Sequence, residues 1–163
     1  MKLQKVLNLF NVAIYIRLSR EDGDKEESDS VGNQRKLLTE YVAKKDDFIL
    51  YDVYVDDGYS GTNFNRPSFQ RMIADIEDGK VNCVVVKDLS RFGRDYIDTG
   101  RYLERYFPEL GVRFISVTDS IDSMKQAYDM LLPIKNIFNE QYARDISKKI
   151  QATVKSKQKA GEF

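Results

Sequence analysis

At 163 residues the chain is one domain's worth of polypeptide, since a domain takes roughly 100–200 residues; with 42% hydrophobic residues it can build a core, and no apolar run approaches the ~18 residues of a membrane span. The absence of histidine excludes Ser–His and Cys–His catalytic pairs and histidine-based zinc sites, and a single cysteine excludes an internal disulfide and suits a reducing cytoplasm. Twenty-six basic residues balance twenty-six acidic ones, so net charge points to no polyanion and only local distribution can.

The first ten residues, MKLQKVLNLF, contain no small-residue cleavage site and read as an N-terminal extension, not a signal peptide. Asn11 to Ile16 is a continuous β-branched run, predicting a buried strand. The strand gives way to a loop at Arg17-Leu18-Ser19-Arg20. From Glu21 to Asp29 six carboxylates face one lysine, predicting a solvated loop or one that fends off a polyanion. Ser30 is placed to cap a helix running to about Lys45. Phe48 to Val55 predicts the second strand, and Asp56 to Asn63 a long loop.

Pro67 suits a first helical turn, and Phe69, Met72, Ile73 and Ile76 give that helix an apolar face ending at Gly79. Asn82 to Val86 predicts a third strand buried on both faces, followed by a loop from Lys87 to Asp95. A helix to about Phe107 is stopped by Pro108 and Gly111, and Val112 to Val117 predicts the fourth strand. From about Ser123 the spacing of Met130, Leu131, Ile134, Ile137, Phe138, Tyr142, Ile146, Ile150 and Val154 predicts one long helix, kinked or broken at Pro133. Between Arg144 and Lys159 it carries six basic residues and one acid. A helix this long and polar should project and meet another subunit or a polyanion. The chain ends while still helical and basic, which reads as the front of a longer protein.

Alternating strands and helices predict an α/β layer with a mostly parallel sheet of four or five strands, a core over residues 11–122 and the long helix over 123–160. Ligands of such sheets bind beyond the carboxyl ends of the strands. The three loops placed there pool Arg17, Arg20, Arg66, Lys87, Arg91 and Arg94 with Ser19 and Ser60. Arginine forks bind phosphate oxygens in pairs, and a serine among them is a candidate nucleophile on phosphorus. The bland alternative pairs these arginines with Asp88, Asp95 and Asp98. Glycine-rich nucleotide signatures and a G-x-S-x-G elbow are absent. Cys83 reads as a buried small hydrophobe. Asp56-Asp57 reads as a loop cap, with metal binding the alternative.

In order and spacing these motifs resemble the catalytic domain of a serine recombinase of the resolvase/invertase superfamily, most of all the large serine recombinases of transposons and conjugative elements. Tyr15-Ile16-Arg17-Leu18-Ser19 resembles Y-x-R-x-S, in which the serine is the nucleophile and the arginine assists it. Gln34 matches the glutamine opening the family's first helix, Asp57-Gly58-Tyr59-Ser60-Gly61 resembles D-x-x-S-G, and Arg66 matches an active-site arginine. Leu89-Ser90-Arg91-Phe92-Gly93-Arg94 resembles L-D/S-R-x-G-R, which supplies two further phosphate-binding arginines. Ser90 stands where resolvases have aspartate, which leaves the general base for Ser19 unassigned. The family's E-R motif on the long helix is displaced, with Glu140 and Arg144 nearest to it.

The resemblance implies a resolvase-like three-layer fold and a 5′-phosphoserine link between Ser19 and DNA, followed by strand exchange and resealing without metal or other cofactor. Arg17, Arg66, Arg91 and Arg94 would hold the scissile phosphate, supported by Tyr15, Gln34, Asp57, Ser60 and Ser90. The long helix would pair subunits into dimers and, on synapsis, tetramers. Its residues Glu140, Arg144, Lys148, Lys149 and Lys155 would face DNA or the subunit interface. A cytoplasmic protein of a bacterial mobile element, with its base-reading region C-terminal to this chain, is the setting implied. The alternatives are a catalytically silent DNA-binding or regulatory module of the same fold, and a flavodoxin-like module or small phosphate-ester hydrolase.

Overall fold

The β-branched runs assemble into one sheet of order β2-β1-β3-β4-β5 in the computed structural model of the protein, which describes residues 8–18, 30–125 and 131–161. β1 (Phe10–Leu18), β2 (Phe48–Asp57), β3 (Cys83–Val86) and β4 (Arg113–Ser116) are parallel, and the short β5 (Ile121–Asp122) pairs antiparallel with β4. The chain moves from β1 outward to β2, then crosses back to β3 on the other side of β1. That reversal puts a topological switch point at the carboxyl end of β1.

Pleat alternation divides the core into two faces. Val12, Ile14, Ile16, Cys83, Val85 and Ile115 meet Leu38 and Val42 of α1 (Val31–Ala43). On the opposite face Ala13, Tyr15, Val84, Val86 and Phe114 meet Phe69, Met72 and Ile76 of α2 (Pro67–Glu77). The same face takes Phe92 of α3 (Leu89–Phe92) and Thr99 of α4 (Tyr96–Arg101). α4 continues through a π-helical stretch (Tyr102–Tyr106) into α5 (Phe107–Glu109), burying Leu103 and Phe107. Helices on both faces of a mostly parallel sheet make the three layers expected from the sequence.

Local chemistry sets the helix ends. Ser30 Oγ accepts the Asn33 N–H at 3.1 Å, Asp88 caps α3 through the Arg91 N–H at 3.2 Å, and Asp95 caps α4 through the Asp98 N–H at 3.0 Å. Gly79 follows α2 at φ +74°, where a side chain would be strained.

The structure moves several predicted boundaries. Arg17 and Leu18 belong to β1, and Asp56 and Asp57 to β2, because backbone pairing between these strands continues past the apolar runs. The segment predicted as a loop between Lys87 and Asp95 contains α3. The long helix does not begin at Ser123. Ser123 exchanges two bonds with Phe114, its N–H reaching the Phe114 carbonyl at 2.9 Å and its Oγ accepting the Phe114 N–H at 2.8 Å. This ties it to β4. The described helix, α6, spans Leu131–Lys159. Pro133 is the third residue of the described helix. Met130 lies outside the described residues, as do residues 1–7 of the N-terminal extension.

Ile134 is fully buried, and Ile137 and Phe138 pack partly against the core, with the Phe138 ring edge-on to Tyr96 at 5.4 Å. Beyond them α6 leaves the domain. Tyr142 is 70% exposed, and Ile146, Ile150 and Val154 are exposed as well.

Candidate active site

Arg17 is the hub of the carboxyl end of the sheet. It is fully buried, yet its guanidinium bridges three segments. Nε donates to the Arg91 carbonyl at 3.3 Å, Nη1 to the Tyr59 carbonyl at 3.0 Å and Nη2 to the Ser90 carbonyl at 2.7 Å. One side chain of β1 thereby joins the segment after β2 to α3 after β3. The Arg17 carbonyl in turn accepts Arg91 Nη1 at 3.2 Å and Gln34 Nε2 at 3.3 Å, both from buried side chains. The segments are also fastened directly, because the Arg94 N–H donates to the Gly61 carbonyl at 2.7 Å. A Cβ at Gly61 would lie 2.8 Å from Arg17 Nη2 and 2.9 Å from Arg94 Cγ. Only a residue without a side chain fits between these arginines.

A second arginine sits deeper. Arg66 immediately precedes α2 and is fully buried. Its Nε donates to the Asn63 carbonyl at 3.0 Å, Nη2 to the Phe92 carbonyl at 2.6 Å and Nη1 to the Tyr15 hydroxyl at 2.9 Å. Its guanidinium carbon lies 4.6 Å from the Phe64 ring centre, 5.0 Å from Phe69 and 5.5 Å from Tyr15. The Tyr15 hydroxyl donates to Asp56 Oδ2 at 2.8 Å. Burial, above all, raises the Tyr15 phenol above its ordinary value, so it stays protonated and able to donate.

Asp56 is buried while its neighbour Asp57 is exposed. The Asp56 oxygens accept the Ser68 and Phe69 N–H groups, each at 3.0 Å. They cap α2, which has no cap of its own from Arg66. The capping half of the sequence reading therefore holds for Asp56, and its oxygens are committed to N–H and O–H donors. Sequence reasoning named Asp57 for the site and passed over its neighbour. The alternation Tyr54, Asp56 on one pleat face was the signal available.

On α3, the half-buried Ser90 donates its hydroxyl to Asp88, which also lies 3.8 Å from Arg91 Nε. Asp98 pairs instead with the exposed Arg101 at 3.8 Å. The bland pairing of site arginines with acids thus applies to Asp88 and Arg91, whereas Asp95 serves as a cap. Ser60 is half-buried and turned to its own loop, 2.8 Å from the Thr62 hydroxyl. Arg94 is half-buried. Glu140 and Arg144 form an exposed pair 4.0 Å apart and line, with Asp88, Ser90 and Arg91, a groove of about 280 Å³. Lys148, Lys149 and Lys155 are exposed further along α6, away from this cluster. Cys83 is buried, and burial pushes its thiol up to about 12, as suits an unreactive core residue. Ser19, Arg20 and the acidic segment Glu21 to Asp29 lie outside the described residues. Among the described residues no cluster of His, Cys, Asp or Glu could hold a metal ion, and no helix is long and apolar enough to cross a membrane.

The arrangement is a cationic, partly dehydrated end of a parallel sheet, where charges act at low dielectric. The family described as Resolvase, N terminal domain, matches residues 12–163. The crystal structure of the N-terminal catalytic domain of TP901-1 integrase is 33% identical, with a TM-score of 0.66 over 83% of this chain and 98% of that one. A resolvase family site-specific recombinase from Streptococcus pneumoniae is 30% identical, with a TM-score of 0.61 over 93% of this chain and 98% of the other. An uncharacterised immunity region protein 3 of Bacillus phage phi105 is 36% identical over 69 residues, 42% of this chain and 82% of its own.

Proposed function

Since this chain belongs to the resolvase family, as a serine recombinase catalytic domain, we propose that it cuts and rejoins DNA through Ser19. The serine Oγ attacks a backbone phosphorus, a P–Oγ bond forms and the P–O3′ bond breaks. The serine proton ends on the departing 3′-hydroxyl, and the DNA 5′ phosphate stays esterified to Ser19. That ester retains the energy of the phosphodiester, so attack by the 3′-hydroxyl of an exchanged strand reseals DNA and frees the serine.

The observation that supports this most is the gathering of Arg17, Arg66, Arg91 and Arg94 at the carboxyl end of β1, two residues before Ser19. Arg91 and Arg94 would clamp the phosphate and offset charge on its oxygens in the transition state. Arg17 and Arg66, with donors committed to carbonyls of the surrounding loops, would brace the site and add positive potential. Gln34 would support it from beneath through the Arg17 carbonyl, Ser60, Ser90 and Asp57 from the rim, and α6 would lie along the DNA and against a second subunit. The reaction would occur in the cytoplasm, where the DNA is. A silent module of the same fold would need these arginines only to tie its loops together.

The test is covalent trapping. The protein is incubated with DNA from the ends of its own element beside a Ser19→Ala variant. An adduct that maps to Ser19 and carries a 5′ phosphate, absent in the variant while DNA binding persists, is the expected result. An adduct surviving in Ser19→Ala would reassign the nucleophile, and no adduct on DNA the protein binds would favour the silent module.

A further inference from the structure

Asp56 holds three donors, and only two of them belong to the helix it caps. The Ser68 and Phe69 N–H groups satisfy the start of α2. The third, the Tyr15 hydroxyl, leads out of the helix toward Arg66. A phenol has one proton. Because the Asp56 carboxylate takes it, the Tyr15 oxygen turns its lone pairs to Arg66 Nη1. An ionised carboxylate cannot donate, so it fixes the direction of both hydrogen bonds in the relay. Arg66 is fully buried among aromatic rings and backbone carbonyls. A buried cation needs a compensating anion. Asp56, itself buried, supplies one across a single hydroxyl group.

We infer that Asp56 is a positioning residue of this site: acting through Tyr15, it holds the Arg66 guanidinium at a fixed place and orientation. Its use in DNA cleavage rests on the recombinase reading above, whereas the geometric role does not. Capping alone would make Asp56 independent of the Tyr15 hydroxyl. Positioning makes the two interdependent, and that is measurable.

Asp56→Asn keeps size but brings an amide that donates to the Tyr15 oxygen, freeing the phenol proton to face the Arg66 donor. Tyr15→Phe removes the relay. The experiment is a double-mutant cycle on the whole chain, read by NMR as the water-exchange rate of the Arg66 guanidinium protons, assigned with Arg66→Lys. Asp56→Asn should speed exchange about tenfold or more, and the same change in a Tyr15→Phe background should add less than about twofold. An equal effect in both backgrounds would reduce Asp56 to a cap and overturn the inference. If Asp56→Asn does not fold, Asp56→Glu, which keeps the carboxylate but moves it, runs through the same cycle with the same criteria. Adduct formation is the second readout. Asp56→Asn should lower the cleavage rate at saturating DNA about tenfold while DNA affinity stays within about twofold, with the same dependence on Tyr15. A wild-type chain that forms no adduct would sink the recombinase reading, and the exchange cycle would still decide the positioning role.

Discussion

Space around the arginines is the most sensitive quantity at the scale of single residues. At Gly61 an added methyl would meet Arg17 Nη2 at 2.8 Å, Arg94 Cγ at 2.9 Å and Arg17 Cζ at 3.0 Å. Arg17 cannot retreat without giving up carbonyls on two segments. Gly61→Ala should therefore cost about 1–3 kcal/mol, the usual range for overpacking, and cut adduct formation more than it lowers thermal stability. Unchanged adduct yield would mean that the arginines are not held in register by this contact. Arg94→Lys tests the fork itself. Lysine keeps the charge but loses the planar pair of donors, so DNA binding should persist while the cleavage rate falls by about 10²-fold or more, as for loss of one oxyanion donor. A rate within a few-fold of wild type would remove Arg94 from the phosphate clamp.

At the scale of elements, the edge of the sheet depends on charge. β5 is two residues long and is fastened to β4 by Arg113, whose Nε and Nη2 reach the Asp122 carboxylate at 3.0 and 2.7 Å. Burial raises the Asp122 carboxyl, but the Arg113 hydrogen bond and the Met124 N–H outweigh it, and the net value lies below the ordinary carboxylate range. A carboxyl depressed in the folded state adds stability above its unfolded value and loses it as pH falls through the folded one. Urea midpoints should thus decline on the acid side of pH 4 in the wild type. Arg113→Gln, which removes the cause of the depression, should flatten that acid limb and cost about 1.5–3 kcal/mol at neutral pH, as for a hydrogen bond to a charged group. Parallel acid limbs would show that this pair does not govern the edge. Such pairings also mark where the sequence stopped being legible. β1 and β3 hold continuous apolar runs, α1 carries its Ser30 cap locally, and α2 carries Pro67 at its start and Gly79 at its stop, so one-dimensional reading finds them; the cap of α2, Asp56 on β2, is not local and was not found. β5 is too short for periodicity to register. It exists because Arg113, nine residues earlier, meets Asp122. The cage around Arg66 is equally non-local, being built from Phe64, Phe69 and Tyr15 on three segments. The arginines themselves were legible through their spacing, but that Arg17, Arg66 and Arg91 are buried and bonded to backbone carbonyls was not, because burial depends on what the loops fold against.

At the scale of the whole molecule, α6 leaves the domain with two different surfaces. An α-helix advances about 100° per residue. Tyr142, Ile146, Ile150 and Val154 then occupy a sector of about 120°, all exposed. Arg144, Lys148, Lys155 and Lys159 cluster within about 60° of one another on the opposite side. Lys149 lies beside the apolar sector instead. If the apolar sector meets a second subunit and the basic sector meets the phosphate backbone, the two contacts separate by mutation. Replacing Arg144, Lys148 and Lys155 with glutamine should leave thermal stability unchanged, because all three are exposed. Each neutralised phosphate contact lowers the slope of log affinity against log salt by about 0.9. The triple variant should therefore bind DNA more weakly at low salt, with a slope shallower by two to three units, while its self-association stays as in the wild type. Lys149→Gln should leave the slope unchanged. Replacing Tyr142 and Ile146 with serine should do the reverse, weakening association in sedimentation while preserving the salt slope per subunit. A triple variant with the wild-type slope would remove the DNA from the basic face of α6, and a Lys149→Gln variant with a shallower slope would mean that the helix meets the duplex through the apolar sector's flank.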